Sequence, residues 1–120
     1  MMFTLPLPPS TNRMYRSDRG RAPHKSGEYR AWLTEAGWEF ASQVKGHSTI
    51  KSAASVEVFV GKMHGARDLD SIIKPLGDFL QEAQIVANDK LIRSWHVAAD
   101  CDSVPKNTVM IVVKEMGKVA

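Results

Sequence analysis

The 120-residue chain carries 16 Lys and Arg against 13 Asp and Glu, a formal charge of +3, with 43% hydrophobic and 24% charged residues. This is one globular domain, residues 1–120, with apolar material for a core, too short for two domains and unlike a disordered polyelectrolyte. No apolar run approaches the roughly 18 residues of a membrane span, Pro6, Pro8 and Pro9 interrupt any signal-type opening, and the single Cys101 precludes an intrachain disulfide and fits a reducing cytoplasm.

Phe3-Thr4-Leu5 reads as a short first strand, ended by Pro6-Leu7-Pro8-Pro9 because proline lacks the N–H that a ladder needs. Residues 10–27 are polar, basic and without apolar period, and read as a long loop. Such a loop is either functional or simply solvated. Residues 1–30 hold Arg13, Arg16, Arg19, Arg21, Lys25 and Arg30 against Asp18 and Glu28, a balance that suits an anionic partner. Ser26 is placed to cap a helix with Glu28 in its first turn. Tyr29, Leu33, Ala36, Phe40 and Val44 recur at helical spacing, with Trp32 and Trp38 as flanking packing residues and Gly46 as the stop.

Val56, Val58 and Val60 alternate with Ser55, Glu57 and Phe59, the period of a strand. After a turn at 62–66, Leu69, Ile72, Ile73, Leu76, Leu80 and Ala83 define a second helix. Pro75 falls within it, so this helix either begins near Ile72 or is kinked. Ala87-Asn88-Asp89 turns into a strand over 91–98, with Leu91, Trp95 and Val97 on one face. Val104 to Asn107 turns again, 108–113 is the apolar run of a central or doubly buried strand, and the tail 114–120 is expected to fray. The order β-α-β-α-β-β describes a small two-layer α+β domain with a mixed sheet and two helices.

Between Arg67 and Asp89 stand Asp68, Asp70, Asp78, Glu82 and Asp89 against only Arg67 and Lys74. Helical spacing puts Asp70, Lys74 and Asp78 on one face, and Asp89 follows the helix, where the chain can return it to the same end. Carboxylates in a basic chain suit a divalent cation held against a polyanion. Mg²⁺ takes one or two carboxylates and completes its shell with water and phosphate oxygens, and metals so held activate water beside a phosphodiester. Lys74 would then neutralise phosphate, orient water or assist the leaving oxygen. The same spacing also fits a purely structural arrangement: Asp68 as a helix cap, Asp70–Lys74 as an exposed pair worth about 0.3–0.5 kcal/mol, and Asp78 and Asp89 as surface groups. His24, His47, His64 and His96 share no ligand spacing, and neither a phosphate loop nor a nucleophile elbow is present.

Three separated stretches resemble the RusA family of Holliday-junction resolvases. They are Leu5-Pro6-Leu7-Pro8-Pro9-Ser10-Thr11-Asn12-Arg13; Arg67-Asp68-Leu69-Asp70-Ser71 with Lys74, Asp78 and Leu80, then Asn88-Asp89; and Lys114-Glu115-Met116-Gly117. The resemblance spans nearly the whole chain. It implies a RusA-like, homodimeric endonuclease dependent on Mg²⁺, with Mn²⁺ as a substitute, that resolves four-way DNA junctions by paired symmetric nicks in recombination and repair. It implies no membrane partner and no small-molecule substrate. It carries metal binding to Asp68, Asp70 and Asp89 and an essential lysine to Lys74, and leaves Asp78 a structural or supporting part. The chain departs from the family pattern at Ser71, usually Asn, and at Asn88, where the family has a paired Asp-Asp.

A junction's approximate two-fold symmetry matches a closed dimer, for which the strand-rich C-terminal half is the candidate surface. Arg13, Arg16, Arg19, Arg21, Lys25 and Arg67 are the expected DNA contacts, and phosphate binding by the loop carries affinity without base information. The competing readings are a branched-DNA-binding protein that does not cut, and a metal nuclease acting on another nucleic acid. Replacing Arg16 and Arg19 together by Ala should weaken DNA binding and flatten its salt dependence; an unchanged slope in a salt titration would remove the loop from the contact.

Overall fold

Alternating apolar residues build the sheet in a computed structural model of the chain, which describes residues 1–10, 14–16, 24–63 and 67–117. In order come β1 (Met2–Pro6), a two-stranded ribbon of β2 (Tyr15–Arg16) and β3 (His24–Lys25), α1 (Gly27–Gln43), β4 (Ala54–Val60), α2 (Asp70–Glu82), β5 (Ile92–Ala98) and β6 (Thr108–Glu115). The four-stranded sheet has the order β1-β6-β4-β5. β6 is antiparallel to both β1 and β4, and β5 is parallel to β4. The mixed sheet and two helices are those the sequence predicts. The ribbon is an addition, its two-residue strands being too short to show a period.

Phe3 and Leu5, Val56, Val58 and Val60, and Val109, Ile111 and Val113 are buried on one face of the sheet, as strict alternation requires. Both helices cover that face. Phe3 meets Phe40 at 4.9 Å between ring centroids, and Phe79 meets Phe40 at 6.1 Å and Trp32 at 6.0 Å, all edge-on. Such contacts add about 0.5–1.5 kcal/mol each beyond area burial and here join β1, α1 and α2. β6 is central, in keeping with its apolar run. It continues through Lys114 and Glu115, which pair with β4, and Met116 N–H donates to Ala53 O at 2.8 Å, so fraying does not begin at 114.

Ser26 caps α1, its Oγ accepting from Tyr29 N–H at 3.1 Å. The helix buries Tyr29, Trp32, Leu33, Ala36 and Phe40 and ends at Gln43, three residues ahead of the predicted stop. Trp32 is a core residue whose Nε1 donates to Pro6 O at 2.9 Å, whereas Trp38 is exposed. At the other end of α1 the Gln43 carboxamide meets Thr4 twice: Oε1 accepts from Thr4 N–H and Nε2 donates to Thr4 O, both at 2.7 Å. α2 begins at Asp70, two residues before Ile72, and contains Pro75, which is buried. Leu91 belongs to a short 3₁₀ turn (Asp89–Leu91), and β5 starts at Ile92, with Trp95 and Val97 packed against the core. No helix among the described residues is long and apolar enough to cross a membrane.

Gly61, just beyond β4, donates its N–H to Thr108 O at 2.9 Å. A Cβ there would overlap the Pro105 carbonyl oxygen and stand 2.9 Å from Val104 O, both backbone atoms that cannot rotate away. Gly61→Ala should therefore lower stability by about 1–3 kcal/mol in a urea titration; wild-type stability would mean that the 104–107 turn shifts at no cost.

Candidate active site

The acidic groups are positioned by α2 and by the turn that follows it. Asp70 occupies the first turn of the helix, where its carboxylate meets the positive end of the helix dipole, and Asp68 precedes it; both are exposed. Ser71 stitches this start together, its Oγ donating to Asp68 O at 2.6 Å and accepting from Arg67 Nε at 3.1 Å. Arg67 Nη2 is buried without a hydrogen-bond partner, and burial draws the guanidinium pKa below its usual range. Arg67 is thus engaged with its own helix start.

Lys74 pairs with Asp78 rather than with Asp70. Its Nζ donates to Asp78 Oδ1 at 3.0 Å, while Asp78 Oδ2 accepts from Tyr29 Oη at 2.7 Å and from Tyr15 Oη at 3.5 Å. The Asp78 bond raises the Lys74 pKa despite partial burial, and the Asp78 and Asp89 charges add to the rise. Lys74 is therefore a fixed ammonium, suited to neutralising an anion and not to abstracting a proton. Tyr29 is pushed well above its ordinary range by burial first and by Asp78 second, so its hydroxyl stays a donor.

Asp89 opens the 3₁₀ turn. Asn88 Oδ1 caps that turn by accepting from Lys90 N–H at 2.9 Å, and Asp89 N–H donates to Gln81 Oε1 at 2.8 Å. Asp89 Cβ lies 4.0 Å from where a Cβ on Gly77 would stand. Asp89 therefore flanks the middle of α2 instead of returning to its N-terminus; at 1.5 Å per residue, Gly77 is roughly 10 Å along the axis from Asp70. Lys74 lies between the two levels. The described residues contain no group of three His, Cys, Asp or Glu side chains placed to hold one metal ion.

Mg²⁺ needs only one or two carboxylates, with water and phosphate oxygens completing its shell. Asp68 and Asp70, exposed and without ion-pair partners among the described residues, fit that partial demand. One cage closed by all three aspartates does not fit this arrangement. Of the expected DNA contacts, Lys25 lies 3.7 Å from Glu82 and 5.8 Å from the centre of the Tyr29 ring, and Arg16 pairs with His24 through the backbone of the ribbon. Arg13, Arg19 and Arg21 lie outside the described residues, as does His64.

The sequence reading missed the polar side of Tyr29 and the parts played by Tyr15 and Gln81. A buried tyrosine in an apolar stripe still has a hydroxyl to satisfy, which was the available signal. Gln81 gave none, because a helix-end glutamine is ordinarily solvated.

Residues 6–112 match the family described as endodeoxyribonuclease RusA. The chain is also similar to the crossover junction endodeoxyribonuclease RusA of Aquifex aeolicus (strain VF5), at 33% identity over 93 residues, 77% of this chain and 71% of that protein. A small α+β domain with an acidic helix start and a lysine held as a cation is here a nuclease. The chain belongs to the RusA family of endodeoxyribonucleases.

Because the folded Lys74 pKa is raised, stability from its pair with Asp78 is fully present below the lysine's ordinary value of 10.5 and is lost as pH rises through the raised one. Asp78→Ala removes both the bond and the charge and should move the Lys74 titration to lower pH. An NMR titration of the lysine side chains reads this directly; an unmoved titration would show that Asp78 does not hold the cation.

Proposed function

We propose that this chain is a metal-dependent, structure-selective endonuclease that resolves four-way DNA junctions by paired nicks, acting as a homodimer. The observation that carries the reading is Lys74, held as an ammonium by Asp78 between the levels of Asp70 and Asp89. Three carboxylates, Asp68, Asp70 and Asp89, have no ion-pair partner among the described residues, and the Asp89 charge acts on that cation. Asp68 and Asp70 would hold Mg²⁺, with Asp89 as the third acidic group. The bound metal would supply an activated water and neutralise phosphate charge.

The chain's own groups do the rest. Lys74 binds a phosphate oxygen and supports negative charge on the leaving oxygen. Asp78 and Tyr29 fix the direction of the ammonium, Gln81 fixes the backbone of Asp89, and Ser71 fixes that of Asp68. A two-fold dimer presents two such sites to the two equivalent strands of a junction.

The test is cleavage of a synthetic four-way junction beside linear duplex of the same arms, with Mg²⁺ and with chelator. Wild type should give paired nicks that need both the junction and the metal. Asp70→Asn should lower the rate by a factor on the order of 10² or more and leave junction binding equal or tighter, carboxylate–phosphate repulsion being removed. Tight binding by wild type with no product would favour a branched-DNA-binding protein instead, and a preference for other nucleic acids would reassign the substrate.

A further inference from the structure

A hollow of about 440 Å³ opens between the β2–β3 ribbon and the end of α2, lined by Tyr15, Lys25, Asp78, Gln81, Glu82 and Gln84. Its charges are matched. Lys25 faces Glu82 at 3.7 Å, and Asp78 is neutralised by Lys74 at 3.0 Å. A phosphate would find no spare cation here, nor a cation a spare carboxylate.

The groups left open are an aromatic ring and two carboxamides. Tyr15 is 40% exposed, and its ring is fixed edge-on to Tyr29 with 6.0 Å between centroids. Gln81 Oε1 is taken by Asp89 N–H, which leaves its NH₂ group as a donor. Gln84 Nε2 donates to Gln81 O at 2.8 Å, which leaves Oε1 as an acceptor. A neutral site with a ring to stack on and a donor beside an acceptor matches a flat ligand with polar edges, which is the chemistry of a nucleobase.

We propose that this hollow receives one base of the bound DNA, stacked on Tyr15 and hydrogen-bonded along its edge by Gln81 and Gln84. The proposal rests on the nuclease reading above and adds a base-specific contact to it. Two of the walls are bonded directly to candidate site residues, Asp78 to Lys74 and Gln81 to Asp89, so the base would lie near the reacting phosphate and bias where the strand is cut. A branch point favours such capture, because a base with a disrupted stack is the cheapest to extract.

The test places 2-aminopurine, one position at a time, through a four-way junction, a linear duplex and a single strand, and reads its fluorescence on binding in chelator, where no cutting occurs. At one position on the junction the wild-type signal should change severalfold. Tyr15→Phe, which keeps the ring, should retain that change. Tyr15→Ala should abolish it and weaken binding about tenfold, as loss of one base–aromatic stack does. Gln84→Ala should redistribute the nicks observed with Mg²⁺ among junctions differing only at that base.

Absence of a signal change on every DNA overturns the pocket. So does an equal change in wild type and a folded Tyr15→Ala protein, checked by circular dichroism. Should that variant not fold, loss of the signal in Tyr15→Phe or unchanged nicking by Gln84→Ala overturns it instead. A signal on duplex or single strand but none on the junction supports the pocket and defeats the junction reading.

Discussion

The Asp78 carboxylate accepts hydrogen bonds from three elements at once: Lys74 on its own helix, Tyr29 on α1 and Tyr15 on the ribbon. Its side chain is only 17% exposed, so much of its hydration has been replaced by these donors. Well-formed hydrogen bonds to a charged group, here those from Tyr29 at 2.7 Å and Lys74 at 3.0 Å, contribute about 1.5–3 kcal/mol each, and the 3.5 Å contact from Tyr15 adds less. The ribbon, α1 and α2 are therefore held to a common geometry by one anion. The orientation of Lys74 is a consequence of that geometry, as is the placing of the Tyr15 ring.

Much of the frame was legible. The alternating valines of β4, the Ser26 cap and the stripe from Tyr29 to Phe40 each follow one local rule, and each formed as its rule requires. Asp89 was not legible. β4 and β5 are parallel, so α2 must run back against them, and the chain re-enters the sheet at the opposite end from the start of the helix. That crossover, rather than any residue pattern, sets Asp89 beside Gly77 and away from Asp70. Pro75 is accommodated inside the helix. Its missing N–H costs one hydrogen bond, but its ring is buried with Ile72, Leu76 and Phe79, and tertiary packing outweighed the local penalty.

The two departures from the family pattern both have local duties that their chemistry performs. Asn88 offers a side-chain oxygen to Lys90 N–H, which is all that a cap of the 3₁₀ turn requires. Ser71 both donates and accepts, linking Arg67 to the Asp68 carbonyl with a single hydroxyl. The identities of these two residues bear on the stiffness of the helix start and of the turn before β5.

The Gln43 carboxamide behaves towards Thr4 as one residue of an added strand, offering an acceptor and a donor to the outward backbone of β1. β1 is an edge of the sheet, and its next outward group, Pro6 O, is already taken by Trp32. Pro6 has no N–H to present. An edge treated this way is a poor template for a strand from another molecule, because two side chains of α1 block it at Thr4 and Pro6. The same contacts that dock the helix thus act against aggregation.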